Sequence, residues 1–529
     1  MYASNAPTLG RRMLMTDEKT ITKKNIISVV SKAFVEHQDN VRDEIFLFNY
    51  EKGLQPILNR EKLIRPEINA TVVENNASKI IDTHVGYCFS NPITFVQRAK
   101  VEIGKDDEVK NKDKDGEKDD MKIAVLNKMN QEQKKSTKDI QLARNLFICG
   151  VGYQMVMPHR RRKKAFSPFE IMVLNPMSTF VVYSNDAYRE PKVAVTYFIH
   201  DDGTISLTAY SEDFIYEIEK GTEPDGYTLK QKVSPNVLGM IPIVEFALHD
   251  RMGVFEKVIP IMDAINLINS DRINDILQHV QSLLWLHNCE LDKEEKQKLV
   301  DGDGVIMTQS SEGKEAKISY LTQTLDQSQI QTLVDYLQEQ MQQGTSTPSW
   351  QEASGGSTTG AMQLSNGWQC LEIFAKMIEQ LFLEPEMQIL EIETEIIRND
   401  KRDFGGLEDM EVADIEIRFC RTKTYDLVSK TNALVALLNA GVDGLTAFNT
   451  VGLFTDPQQA WVDSAKIING IQKKLATKEE TKVVASQNGE PGKDANAFKD
   501  EEGNGGANNK KKDKTEESLQ PSKVAGVSD

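Results

Sequence analysis

Residues 256–286 read EKVIPIMDAINLINSDRINDILQHVQSLLWL. Ile261, Ile265, Ile268, Ile276, Val280 and Leu283 keep helical spacing on one side, which predicts a single amphipathic helix over the whole stretch. Pro260 falls in its first turn, where the missing N–H would have no partner in any case. Such a helix spans roughly 45 Å at 1.5 Å per residue, long for a globular domain. A chain that commits this much length to one helix, directly after a β-rich region, is α+β with elongated parts.

That β-rich region precedes it. VGYQMVM, FEIMVL, TFVVYS, VAVTYFIH, TISLTAY and FIYEIE are short, rich in branched and aromatic residues, and separated by turns such as HDDG. They predict an antiparallel meander within 150–247 whose first hairpin tip is PHRRRKKAFSP. Arg160 to Lys164 there is a basic run that reads as a solvated turn, with a nucleic-acid patch as the sharper alternative. Further upstream, Ala77, Ile80, Ile81, Val85 and Cys88 form a helical stripe within 74–89, and His84 shares it as a core histidine. NPITFVQ follows as a strand, and residues 1–40 read as an arm with one short helix.

Composition limits the chemistry. The 529 residues carry 63 Lys and Arg against 80 Asp and Glu, a net charge of −17, so the chain as a whole repels nucleic acid and anionic membranes. Five cysteines are scattered with no C-x-x-C pair, which argues against a zinc ribbon or disulfide frame and fits a reducing cytoplasm. No apolar run approaches the ~18 residues of a membrane span, and the N-terminus lacks a signal-peptide core. In KDDEVKNKDKDGEKDD (105–120), Asn111, Asp113, Asp115 and Gly116 match part of a calcium loop. The bidentate Glu that should end the loop is Lys122, so a solvated, mobile insertion is expected instead.

Downstream of the long helix, DGDGVIMT and KISYLT are strand candidates, and a second helix follows over 326–344. QEASGGSTTGAM (351–362) then presents the glycine frame of a phosphate loop, but Ala361 and Met362 stand where the Lys and the Mg²⁺-binding hydroxyl belong. A flexible connector between helices is the reading that remains. Another helix carries Leu364, Leu371, Phe374, Ile378, Leu381 and Phe382, with a kink or break expected at Pro385. IEIRFCR (415–421) is an isolated strand that must pair far upstream. Residues 424–475 form a helical unit punctuated by NAGVDG (439–444) and by an Asp456-Pro457 helix start. The segment 476–529, nearly free of apolar residues, is expected to be disordered.

The order of four stretches resembles the portal proteins of long-tailed bacteriophages: ENNASKIIDTHVGYCFSNPITF; CGVGYQ with LNPMSTFVVYSND; IPIVEFALHDRMGVFEKVIPIMDAINLINSDRINDILQ; and SGGSTTGAMQL. The resemblance covers most of residues 40–475 and implies the portal fold. Its parts are an arm (1–40), a wing (41–255 with a strand at 405–423), stem helices (256–286 and 326–344), a clip (287–325), a tunnel loop (345–360), a tunnel helix (361–400) and a crown (424–475). It also implies a homo-oligomeric ring, a dodecamer, at the portal vertex of the virion, assembled in the host bacterial cytoplasm. Through the ring pass the packaging, retention and ejection of double-stranded DNA. The implied partners are the terminase large subunit, a head–tail adaptor, and the major capsid and scaffolding proteins, with no membrane.

No catalytic residue, cofactor or metal is expected. Ser349, Trp350, Gln351, Ser354, Gly355, Gly356, Ser357, Thr358, Thr359 and Gly360 would face the DNA, in a loop that departs from a basic, DNA-gripping design. Asp263, Asp271, Asp275, Asp335 and Glu339 would line an electronegative bore, because each phosphate neutralised by Lys or Arg adds affinity and brakes sliding. Solvated outer faces or intersubunit partners are the plainer roles for these acids. A nucleotide-driven phage motor is the competing enzyme reading, and a helical scaffold or adaptor the competing structural one.

Overall fold

The computed structural model describes residues 9–97, 113–160, 165–287, 317–321, 327–349, 367–421, 427–454, 460, 461 and 464, apart from a few positions inside these ranges. The chain divides into two units, Met1–Gln458 and Gln459–Asp529, and every element named below belongs to the first. In chain order these begin with β1 (Leu14–Thr16), α1 (Ile26–Glu51), α2 (Asn76–Phe89), β2 (Thr94–Gln97), α3 (Asp113–Glu132), α4 (Lys135–Cys149), β3 (Val151–Pro158) and β4 (Phe169–Leu174). Next come β5 (Thr179–Ser184), β6 (Pro191–Ile199), β7 (Ile205–Tyr210), β8 (Phe214–Lys220), β9 (Tyr227–Leu229), β10 (Ser234–Pro235) and β11 (Ile243–Ala247). The remainder is α5 (Ile259–Val280), β12 (Leu283–His287), β13 (Lys317–Leu321), α6 (Gln327–Gly344), α7 (Trp368–Arg398), β14 (Ile415–Arg418), α8 (Leu427–Asn439) and α9 (Gly444–Val451). Helices and sheets together make the fold α+β.

The N-terminus is not an arm with a short helix. β1 pairs in parallel with β5, Leu14 opposite Val182, and α1 runs for 26 residues. The helix bridges two cores. Ile26, Val30, Ala33 and Phe34 pack with Phe180, Val193, Tyr197 and Tyr216, whereas Leu47 and Tyr50 belong to the larger core around α2, α4 and α7. A boundary at residue 40 would cut α1 in half, and its burial on both sides of that point makes the whole helix part of the body.

The strands between 151 and 220 form, but not as one meander. β3 and β4 pair as a hairpin and β11 returns to β3, with Ile243 opposite Met155. β5 to β8 belong to a separate seven-stranded sheet of order β1-β5-β6-β7-β8-β10, with β9 on β8. The break lies at Asn175-Pro176. The Asn175 side chain accepts from Met177 N at 3.0 Å, closing a turn, and Pro176 has no N–H to continue a ladder. The basic tip at 161–164 lies outside the described residues.

Three further expectations are corrected. The charged stretch at 105–120 is not wholly an irregular insertion: from Asp113 onward it is the start of α3. The following turns bury Ile123, Leu126 and Met129. Asp113, Asp115 and Gly116 are therefore helical and cannot wrap a calcium ion. The long helix ends at Val280, and LLWLH, expected to extend it, is β12, antiparallel to β13 with Trp285 opposite Ser319. A short apolar run fits either state, and here the cross-strand partner decides.

α7 also runs without a break through Pro385. The proline costs about 3 kcal/mol in a helix interior. Phe382, Ile389, Leu390, Ile392 and Ile396 are all at most 3% exposed, and full burial contributes about 1.5–3 kcal/mol for each. Packing wins easily.

The isolated strand at 415 pairs upstream as expected, with β2: Ile415 lies opposite Gln97 and Arg418 opposite Thr94. NAGVDG ends α8, with Gly441 at φ +82°. DGDGVIMT, Asp456-Pro457 and the segment 476–529 lie outside the described residues.

Candidate functional site

The stretch leading into α5 is where the chain's distant parts are fastened. Glu256 accepts from Gly10 N (3.1 Å), Gly253 N (2.9 Å) and the Arg11 guanidinium (2.6 Å), with both charged side chains fully enclosed. Burial pushes the Glu256 carboxyl up, and Arg11 with the two amides opposes that shift. Arg251 makes a two-pronged pair with Glu245 at 2.6 and 2.7 Å. Asp250 and Arg251 both adopt left-handed backbone, at φ 57° and 53°. A Cβ on Gly253 would lie 2.1 Å from Ile148 O, and one on Gly150 2.3 Å from Arg251 O, so only glycine lets these backbones touch.

Along α5 the buried face changes from apolar to polar. Ile259, Met262 and Ile265 are enclosed, but the next enclosed positions are Asn266, Ser270 and Asn274. Asn274 accepts from Ala70 N (2.7 Å) and donates to Ala70 O (3.0 Å). Ser270 accepts from Val72 N (2.9 Å), and Asn266 accepts from Glu74 N (2.8 Å). Four helical residues rise about 6 Å and two extended residues about 6.6 Å, so the two repeats stay in step over three rungs. The helix thus serves as a strand partner for residues 70–74. Ile276, assigned to the apolar stripe, is 55% exposed instead. These three polar residues escape a reading based on apolar periodicity, although N-x₃-S-x₃-N inside an apolar helix is a visible signal.

The five acids expected along the bore are not brought together as one set. Asp263 accepts from the Tyr50 hydroxyl at 2.8 Å, and its carboxyl is pushed up by burial, with that bond opposing. Asp271 pairs with Arg60 at 2.7 Å and stands 4.0 Å from Lys62. Asp275 is half-buried. Asp335 and Glu339 sit one turn apart on an exposed face of α6, accepting from Gln331 (2.7 Å) and Gln343 (3.0 Å). Arg272 reaches across from α5 to Gln331 at 2.9 Å.

Of the expected DNA-facing loop, Trp350, Gln351, Ser354, Gly355, Gly356, Ser357, Thr358, Thr359 and Gly360 lie outside the described residues, while Ser349 is half-buried. The base of the loop is described, and its two ends meet. A Cβ on Gly367 would lie 3.6 Å from Pro348 Cα. His84 is fully buried, as expected of a core histidine, and fastens this base: Nε2 lies 2.9 Å from Thr345 O and Nδ1 2.8 Å from Ile80 O. Both partners are carbonyls, and the Ile80 oxygen lies one turn back in the same helix. The neutral ring therefore serves Thr345 best as the Nε2–H tautomer. Burial lowers the pKa of His84, against the raising effect of the two carbonyls, so the ring is neutral at neutral pH. On the far side, Arg421 pairs with Glu372 (3.2 Å) and Glu379, and Tyr87 donates to Glu372 at 2.6 Å, tying the first turns of α7 to α2.

Among the described residues no three His, Cys, Asp or Glu converge as a metal site, and no helix is long and apolar enough to cross a membrane. Among curated proteins, no sequence matches the chain. Residues 32–471, well over half of the chain, match the model of the family described as "Phage portal protein, SPP1 Gp6-like". The chain therefore belongs to the phage portal protein family, whose role is structural rather than enzymatic.

Proposed function

We propose that this chain is the subunit of a closed ring at one capsid vertex, and that genomic DNA is packaged, retained and ejected through the ring's bore. Besides the family, the observation that carries this reading is apolar surface left open on three long helices. Leu267, Ile276 and Leu277 on α5, Leu333 and Tyr336 on α6, and Ile373, Met377 and Leu381 on α7 are each at least 37% exposed. A monomer rarely leaves such rows uncovered, and a ring needs a head-to-tail contact on every subunit.

On this reading α5 and α6 are the stem, and β12 and β13 frame a clip that meets the terminase large subunit and later the head–tail adaptor. The loop after Ser349 narrows the bore, α7 lies behind it, and α8 with α9 forms the crown. The ring is a dodecamer that engages capsid and scaffolding proteins through its wing. Asp335 and Glu339, exposed on a helix face with no Lys or Arg, are the best placed of the five acids to keep the bore from gripping phosphates. Asp263 and Asp271 are engaged by Tyr50 and Arg60 and serve the subunit's own architecture.

Native mass and negative-stain images of the purified protein test the proposal. Rings with a central hole are expected, and a Leu333→Asp/Met377→Asp variant should remain folded but monomeric. Deleting 350–358 should leave rings intact and impair packaging or DNA retention. Monomers or rods from the unaltered chain would refute the ring, and normal packaging by the deletion would refute the loop's role.

A further inference from the structure

Where α3, α4 and α7 join, Asn130, Lys135, Asp139, Glu386 and Glu393 are all at most 5% exposed. Lys135 Nζ donates to Asp139 Oδ1 at 2.8 Å and to Glu386 Oε1 at 2.5 Å. Glu393 follows Glu386 by seven residues on the same helix face, close enough to feel Lys135, Glu386 and Asp139. The second oxygens of Asp139 and Glu386 have no hydrogen-bond partner among the described residues, and the side chain set against Glu393 is the amide of Asn130.

With every carboxyl ionised, three negative charges would face one ammonium in a closed interior, where an uncompensated charge costs several kcal/mol. Lys135 keeps its proton: burial works against its charge, but Asp139 and Glu386 together outweigh burial. Lys138, the next cation along α4, acts on Asp139 and donates to Ile171 O at 2.6 Å. The excess negative charge therefore falls on Glu393, which has no cation of its own.

We propose that this junction is a proton-binding site: Glu393 enters the fold as the neutral acid, and loss of its proton at alkaline pH loosens the joint between α3, α4 and α7. The neutral acid supplies a hydroxyl donor in a cluster crowded with carboxylate oxygens. Burial pushes the Glu393 carboxyl up to about 8, helped by Glu386 and Asp139 and opposed by Lys135 and by the Asn130 amide. Since the folded value lies above the unfolded one, the stabilisation is complete below the ordinary 4.5 and is lost as pH rises through about 8.

Glu44, in a separate buried cluster, is likewise pushed up to about 8 by burial, so the test uses the Glu44→Gln protein as its parent. Between pH 5.5 and 7 the parent's unfolding constant should rise more steeply than that of E44Q/E393Q, by about tenfold per pH unit. The parent should also show an infrared band of a protonated carboxyl that is missing from the double variant. Should the double variant fail to fold, the band in the parent must shift with ¹³C-labelled glutamate and disappear on raising the pH past 8. Equal slopes with an unchanged band would overturn the proposal. So would an absent band together with stabilisation by Mg²⁺ or Ca²⁺ that E393Q abolishes, which would make the cluster a cation site.

Discussion

The three-rung ladder on α5 gives a prediction whose size follows from the contacts. Ser270→Ala removes the acceptor for Val72 N and leaves that amide without its partner. Stranding one partly buried donor costs about 1–3 kcal/mol, while Ala in place of Ser returns roughly 0.5 kcal/mol of helix propensity. The expected net loss is about 1 kcal/mol. Asn274→Ala breaks two bonds to Ala70 and should cost about 2 kcal/mol after the same correction. Asn266→Ala strands Glu74 N and the Gln55 side chain together, for a similar loss.

Neighbouring rungs share one extended segment, so the triple variant should fall short of the sum, at about 4 kcal/mol. Against a whole stability of about 5–15 kcal/mol this is a large fraction. The assay pairs urea unfolding with amide hydrogen exchange at Ala70, Val72 and Glu74. In the unaltered protein these amides should be protected, and each single variant should release its own rung first. Unprotected amides in the parent would refute the reasoning, and so would a triple variant with an unchanged midpoint.

Two other expectations concern the joint before α5 and a buried histidine. Gly253→Ala and Gly150→Ala drive a Cβ into backbone at 2.1 and 2.3 Å and should prevent accumulation of folded protein. Gly239→Ala, at φ +64° with open space around it, should cost only about 1–2 kcal/mol, and equal thermal midpoints for all three would contradict the close packing. His37 is buried against Phe180, with ring centroids 4.8 Å apart, and burial lowers its pKa to about 4, with Met177 opposing. A histidine with a lowered folded value binds its proton first in the unfolded chain, so His37's own contribution to stability should fall as pH drops from 6.5 toward 4, against the opposite contribution of Glu44 and Glu393. His84 shares that window, so the test is the difference: His37→Phe should gain stability relative to the parent as pH drops from 6.5 toward 4. An unchanged slope would count against the burial account.

Much of the architecture can be read from local pattern because the physics there is local. Branched and aromatic runs between turn residues are strands, and an unpartnered strand such as IEIR requires a mate, which proved to be β2. His84 on an apolar stripe is a core residue whose ring fastens the Thr345 carbonyl. The order of motifs pointed to the portal family, and the family model agrees. The phosphate-loop likeness of 351–362 fails on Ala361 and Met362 alone, with no coordinates needed.

What the tertiary structure decided are choices between states of similar local energy. LLWLH is equally apolar as helix or strand, and only Lys317–Leu321 lying alongside makes it β12. Asn266, Ser270 and Asn274 lie off the apolar stripe, and their role appears only when residues 70–74, two hundred positions away, present their amides to them. α1 reads as part of an arm because its two halves serve different cores. Asp263 and Asp271 look like free acids until Tyr50 and Arg60 are placed against them. In each case the deciding term is a partner remote in sequence, which periodicity and propensity do not encode.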